Sequence, residues 1–272
     1  MSGSVALTDE IPERHPLKNK PLIEAIFDLR WDLAEGRKPG LKVDKGFRIF
    51  TGRYYDRVKD QYTHFQELPI SDVPETMVPY APRHQFWTAE HRWPVTQIGP
   101  GILTVNETDG YLWDTFRPRL IDSYNALFES YPREIADLRL NQIELRYIDS
   151  VAFDPDVSKT PVLRFIRESL RTNIAVDPIL FSHDPNEADS PLGVTLSLTY
   201  RTTKPKGVVA LSLGNGSKAD VPSIIWETKV TSTGEGVPRG LEDFKVWLDE
   251  AHGVSDKWFF ALVRGQLLET FE

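Results

Sequence analysis

A short pattern recurs at a fixed distance along this chain. Asp28-Leu29-Arg30-Trp31 reads acid, Leu, Arg, aromatic, and Glu144-Leu145-Arg146-Tyr147 reads the same way. Arg30 and Arg146 are 116 positions apart. Asp44 and Thr160, which each open a helical pattern, are separated by the same 116 positions. Three strand-like runs and then a long amphipathic helix follow each opening helix. One order of elements at one spacing points to a duplicated unit, strand–helix–three strands–helix. The pattern constrains architecture and leaves the chemistry open.

The first unit spans residues 21–132 and the second 138–272, packed together as one body behind a flexible N-terminal arm, residues 1–20. In the first unit Ile23, Ala25, Phe27 and Leu29 alternate with polar residues, which is a strand period. Asp44 is placed to cap a helix whose buried face is Phe47, Phe50, Tyr54, Val58 and Tyr62. Short strands are expected at Gln85–Ala89, Val95–Ile98 and Ile102–Asn106, and a helix from Trp113 to Phe128. In the second unit Leu138 to Phe153 reads as a long strand. Thr160-Pro161 reads as a helix start, and the loop His183–Ser190 follows. Strands are expected around Leu192–Arg201, Val208–Leu213 and Ser223–Thr231. Gly214-Asn215-Gly216-Ser217 reads as a hairpin loop. The last helix is expected to break at Gly253 and to be recapped at Ser255 or Asp256. The resulting class is α+β, an antiparallel sheet packed by helices on one face and polar on the other. Its element order resembles the doubled saddle of TATA-binding-like and helix-grip folds.

The chain contains no cysteine, which removes disulfides, thiol nucleophiles and Cys-ligated metals. Its N-terminus has no apolar stretch of the signal-peptide kind, and no run approaches the roughly 20 residues of a membrane span. A cytoplasmic protein without membrane contact is expected. Net charge is −8, which argues against nucleic acid as a partner. Basic residues do concentrate between Arg37 and Lys59, a stretch that reads first as a solvated face, otherwise as a docking patch for an acidic partner or a phosphate, with nucleic acid as the third and weakest option.

No glycine-rich phosphate loop and no G-x-S-x-G nucleophile turn occurs. Nothing calls for a cofactor. No two histidines stand at the i, i+4 spacing of a helical metal pair. His84 and His91 with Glu90 are the one set that could meet, and surface packing is the preferred reading, so no metal is expected. Arg30 and Arg146 sit inside otherwise apolar strands beside Asp28 and Glu144. They are read either as structural ion pairs or as anion clamps, since a planar guanidinium suits carboxylate and phosphate. Phe86, Trp87, Trp93 and Trp113 lie near turns and are candidates for a protein interface.

Several stretches resemble a sporadically distributed family of uncharacterised prokaryotic proteins of about this length. They are Pro21-Leu22-Ile23-Glu24-Ala25, Gln97-Ile98-Gly99-Pro100, Val105-Asn106, Arg146-Tyr147-Ile148-Asp149, and Trp247-Leu248-Asp249 with His252. The family carries Asn where this chain has Asp149. The resemblance implies no established activity, cofactor or site, and its patchy distribution suits defence-linked genes. The leading expectation is a binding or interaction protein whose partner is another protein, within a defence or toxin-neutralising system. A homodimer is a further option. The alternative is an anionic small-molecule binder or enzyme using a cleft between the halves.

Overall fold

The computed structural model describes residues 17–108, 110–180 and 190–272. Most of the expected arm, and of the loop His183–Ser190, lies outside these residues. The first half of the chain contributes β1 (Leu22–Trp31), the small β2 (Ala34–Glu35) and β3 (Lys42–Val43), then α1 (Phe47–Val58) and β4 (His64–Glu67). β5 (His84–Ala89), β6 (Arg92–Gly99), β7 (Ile102–Glu107) and α2 (Trp113–Ser130) follow. The second half contributes β8 (Leu140–Ala152), α3 (Pro155–Ser158), α4 (Val162–Ser169) and β9 (Thr195–Thr203). It ends with β10 (Lys206–Lys218), β11 (Val221–Thr233), α5 (Leu241–Val263) and α6 (Gln266–Glu269).

Nine strands form one antiparallel sheet in the order β4-β5-β6-β7-β1-β8-β11-β10-β9. β1 and β8 meet at its centre. From β1 the strands run outward as β7, β6, β5, and from β8 as β11, β10, β9. Asp28 pairs directly with Glu144, while Arg30 pairs with Gln142 and Arg146 with Ile26. The protein is therefore α+β, with a single large antiparallel sheet.

Strand alternation decides what covers that sheet. Ala25, Phe27, Leu29 and Trp31 point to one side and are fully buried. α1, α2 and α5 pack there, Phe50 of α1 against Trp31 and Phe244 of α5 against Phe27. α4 and α6 close a second cluster on the same side with Leu211, Leu213, Ile224 and Trp226. No described helix is long and apolar enough to cross a membrane.

Several local expectations are corrected. Gly46, not Asp44, occupies the cap position of α1. The Asp44 carboxylate instead accepts from Trp31 Nε1 (2.9 Å), Gly46 N (3.0 Å), Gly101 N (3.1 Å) and Tyr131 Oη (2.7 Å). α4 begins at Val162 behind Pro161, and the side-chain cap in this region is Asp154, which accepts from Asp156 N and Val157 N to start α3. Gly214-Asn215-Gly216-Ser217 lies inside β10, paired along β11. The turn falls at Ala219-Asp220, whose φ angles of 48° and 64° put both residues in the left-handed region that a two-residue hairpin of the primed type needs. α5 runs unbroken through Gly253, because that glycine faces solvent while Phe244, Trp247, Leu248, Ala251 and Ser255 hold the helix to the sheet.

Gly99 has a separate purpose. A Cβ there would stand 1.9 Å from Ala81 O, so only glycine lets the 80–82 segment cross the end of β6. Gly99→Ala is expected to cost about 2 kcal/mol through overpacking, read as a lowered urea midpoint.

Candidate binding face

The side of the sheet opposite the helices is polar but for residues such as Ile26, Val95 and Ile102, and its polar side chains join from strand to strand. Gln85 Nε2 donates to Gln97 Oε1 (2.9 Å), Gln97 Nε2 to Asn106 Oδ1 (3.1 Å), and Asn106 Nδ2 to Glu24 Oε1 (2.6 Å). That chain crosses β5, β6, β7 and β1. Beyond β1 the charged groups continue it. Arg146 Nη2 lies 3.5 Å from Asp28 Oδ2 and 3.5 Å from Glu144 Oε1, and its Nη1 lies 3.7 Å from Glu227 Oε2. Thr231 Oγ1 donates to Glu144 (3.0 Å), and Lys229 stands 3.8 Å from Glu227. A polar network thus spans six neighbouring strands, β5 to β11. Asp28 and Glu144 are buried beneath it, at 5% and 7% exposure. Burial pushes the Asp28 carboxyl above its usual range, opposed by Thr104 and the Arg146 guanidinium.

The two arginines occupy matching register positions on either side of the Asp28–Glu144 pair, yet their surroundings differ. Arg146 is flanked on β11 by Lys229 in register and by Glu227. Arg30 is flanked on β7 by Ile102. Among the described residues Arg30 makes no ion pair within 4 Å, and its Nε, like that of Arg146, is buried without a hydrogen-bond partner. Its guanidinium lies 5.7 Å from the centre of the Tyr80 ring. Tyr80 is held at φ 59°, donates its N–H to Pro100 O (3.0 Å) and packs against Gly101. Arg146 thus stands among three acids, while Arg30 feels Asp28 only at longer range and lies against one aromatic ring.

The other sequence candidates scatter. Phe86 is fully buried in the core, so it contributes no surface to an interface. Trp87 and Trp93 pack together on the β5–β6 hairpin with ring centres 5.2 Å apart, and Trp93 is 37% exposed. Trp113 stacks on His252 instead, with rings 3.9 Å apart. His84 opens β5 and stacks on Phe47 and Phe65, whereas His91 lies beyond the far end of that strand, so the two cannot share a ligand. The basic stretch is largely neutralised in place: Lys42 pairs with Glu35, Arg48 with Glu75, Arg53 with Glu134, Arg57 with Glu129 and Lys59 with Asp56. Such exposed pairs add little stability, but they leave little positive field to draw a phosphate backbone.

Sequence reasoning missed Gln85 as a participant, and it left Glu24, Gln97 and Asn106 without a role. Strand parity alone could have placed Gln85 and Gln97 on one face. Joining them to Glu24 requires knowing that β7 lies beside β1. Comparison with known proteins brings no relative to bear: no protein-family model matches the chain, and no curated protein matches it.

Proposed function

We propose that this chain is a binding protein that engages a protein partner through the open polar face of its sheet. The observation that carries this reading is the network from Gln85 to Lys229, a fixed polar floor opposite the helices. Nine strands at about 4.8 Å spacing give a face roughly 40 Å wide, ample for the roughly 800 Å² that each side of a stable interface buries. Trp87 and Trp93 stand at one margin as aromatic anchors. The resemblance supports the same reading, since Glu24, Gln97, Asn106 and Arg146 come from four of its separate stretches and meet on this face.

The symmetric strand order around β1 and β8, with Arg30 and Arg146 at matching positions, supports a duplicated unit of the TATA-binding-like or helix-grip kind. On this reading the halves have diverged: Arg146 organises the acids, and Arg30 is left for a ligand. That no described acid lies within ion-pair distance of Arg30 also favours a second reading, in which the face takes a small anionic molecule at Arg30 and Tyr80.

Co-expression with the products of neighbouring genes tests the first reading. A specific partner should co-purify with wild type and with Arg164→Glu, which changes an exposed helix position, and should be lost from Arg30→Glu. A partner retained by Arg30→Glu would remove the sheet face from the interaction.

A further inference from the structure

β8 presents Glu144 and Arg146 to the open face, and Tyr147 and Asp149 to the helices. On the helix side a hydrogen-bonded chain joins three elements: Tyr111 Oη to Tyr147 Oη (2.8 Å) and Tyr147 Oη to His252 Nδ1 (3.0 Å). Trp113 stacks on the His252 ring, and Lys20 Nζ donates to Tyr111 O (2.5 Å). Asp149 lies two residues beyond Tyr147 on the same side, at 4% exposure. It pairs across the sheet with Trp226. Among the described residues no hydrogen bond reaches its carboxylate, and Lys218 is the one charge acting to keep it ionised. Around it Trp226 Nε1, Thr228 Oγ1 and Ser255 Oγ are buried without hydrogen-bond partners among the described residues. Thr228 is in register with Tyr147, and Ser255 faces the sheet from α5 between His252 and Phe259, which stacks on Trp226. This polar layer separates the two hydrophobic clusters that α5 bridges.

At a site this buried, with no hydrogen-bond donor, an ionised carboxylate costs far more than a protonated one. We infer that this seam is a proton-linked latch: protonated Asp149 lets α5 close on β8 and β11, and ionised Asp149 opens the helix from the sheet. Among the described residues the titratable and charged groups around the seam are Tyr147 on β8, Tyr111 before α2, His252 on α5, Lys218 on β10 and Lys20 before β1, with Asp256 next to Ser255 in the α5 sequence. Burial raises the Asp149 carboxyl to about 7, which sets the switch near neutrality. Because its folded value is raised, its stabilising contribution is fully present below about pH 4, declines as pH rises and is gone once pH passes the folded value.

Hydrogen exchange of the α5 amides around His252, corrected for intrinsic rates, tests the latch. Between pH 6 and pH 8.5 wild type should lose about tenfold or more in protection, and Asp149→Asn should show equal protection at both. Protection that does not change with pH in wild type would overturn the proposal. So would a loss that survives in Asp149→Asn and vanishes in His252→Gln, which would assign it to the imidazole. Should Asp149→Asn fail to fold, NMR titration of the Asp149 carboxyl carbon in wild type decides. A midpoint within about one unit of 7 supports the latch, and one near the ordinary value of ~4 sinks it.

Discussion

Replacing Asp44 with alanine is expected to lower stability by about 4 kcal/mol, more than any other single polar change outside the open face. Its carboxylate is 5% exposed at the residue level and accepts four hydrogen bonds from donors in four parts of the chain. Trp31 ends β1, Gly46 caps α1, Gly101 turns β6 into β7, and Tyr131 closes α2. Alanine leaves all four donors buried or half-buried without an acceptor. Asparagine should do less damage. Its amide can face the Tyr131 hydroxyl, which can accept, while its carbonyl still serves Trp31 and Gly101. Urea unfolding of wild type and both variants should rank them wild type, Asp44→Asn, Asp44→Ala. Equal midpoints for wild type and Asp44→Ala would mean that these elements do not depend on a common anchor.

The second large effect is expected at Arg146. Its removal strands Asp28 and Glu144 side by side, nearly inaccessible and without a cation between them, and leaves Glu227 to Lys229 alone. The loss should be about 3 kcal/mol, at the low end for a broken buried pair because the Arg146 side chain keeps 27% exposure. The deficit should depend on pH in a definite direction. Burial already holds the Asp28 carboxyl above its usual range and the Arg146 guanidinium opposes that rise, so without Arg146 the folded variant binds a proton there more readily than its unfolded chain. Its stability relative to wild type should therefore recover as pH falls from 7 toward 5. Paired urea curves at the two values check this, and a deficit that grows on acidification would contradict the placement of the acids.

Much of the fold is legible because its signals are local. The alternation from Ile23 to Leu29 identifies β1 and its buried side, and the three- and four-residue steps from Phe47 to Val58 identify α1. What is not legible depends on neighbours. β4 is four residues long and exists because His64 to Glu67 pair with β5. The glycines at 214 and 216 look like loop residues, but at both a Cβ would crowd a neighbour, Val194 O at 2.8 Å and Ile225 Cδ1 at 2.5 Å. Asp44 is recognisable as a helix-opening residue, while its ties to Gly101 and Tyr131 span 57 and 87 positions. Arg30 and Arg146 are alike in sequence context. Their difference arises on the next strand out, where one meets Lys229 and Glu227 and the other meets Ile102 beneath Tyr80.

That difference is the most direct test of the binding face. Thermal melts of Arg30→Ala and Arg146→Ala, each with and without inorganic phosphate, separate the guanidinium outside ion-pair range from the one held among acids. Wild type should melt higher with phosphate than without; Arg146→Ala should melt several degrees below wild type in either buffer, about 2–4 °C for each kcal/mol lost, and should keep that phosphate-induced rise. Arg30→Ala should melt with wild type in the absence of phosphate and lose that rise. An Arg30→Ala variant that keeps the full phosphate effect, or that falls as far as Arg146→Ala, would contradict the assignment of Arg30 to ligand recognition.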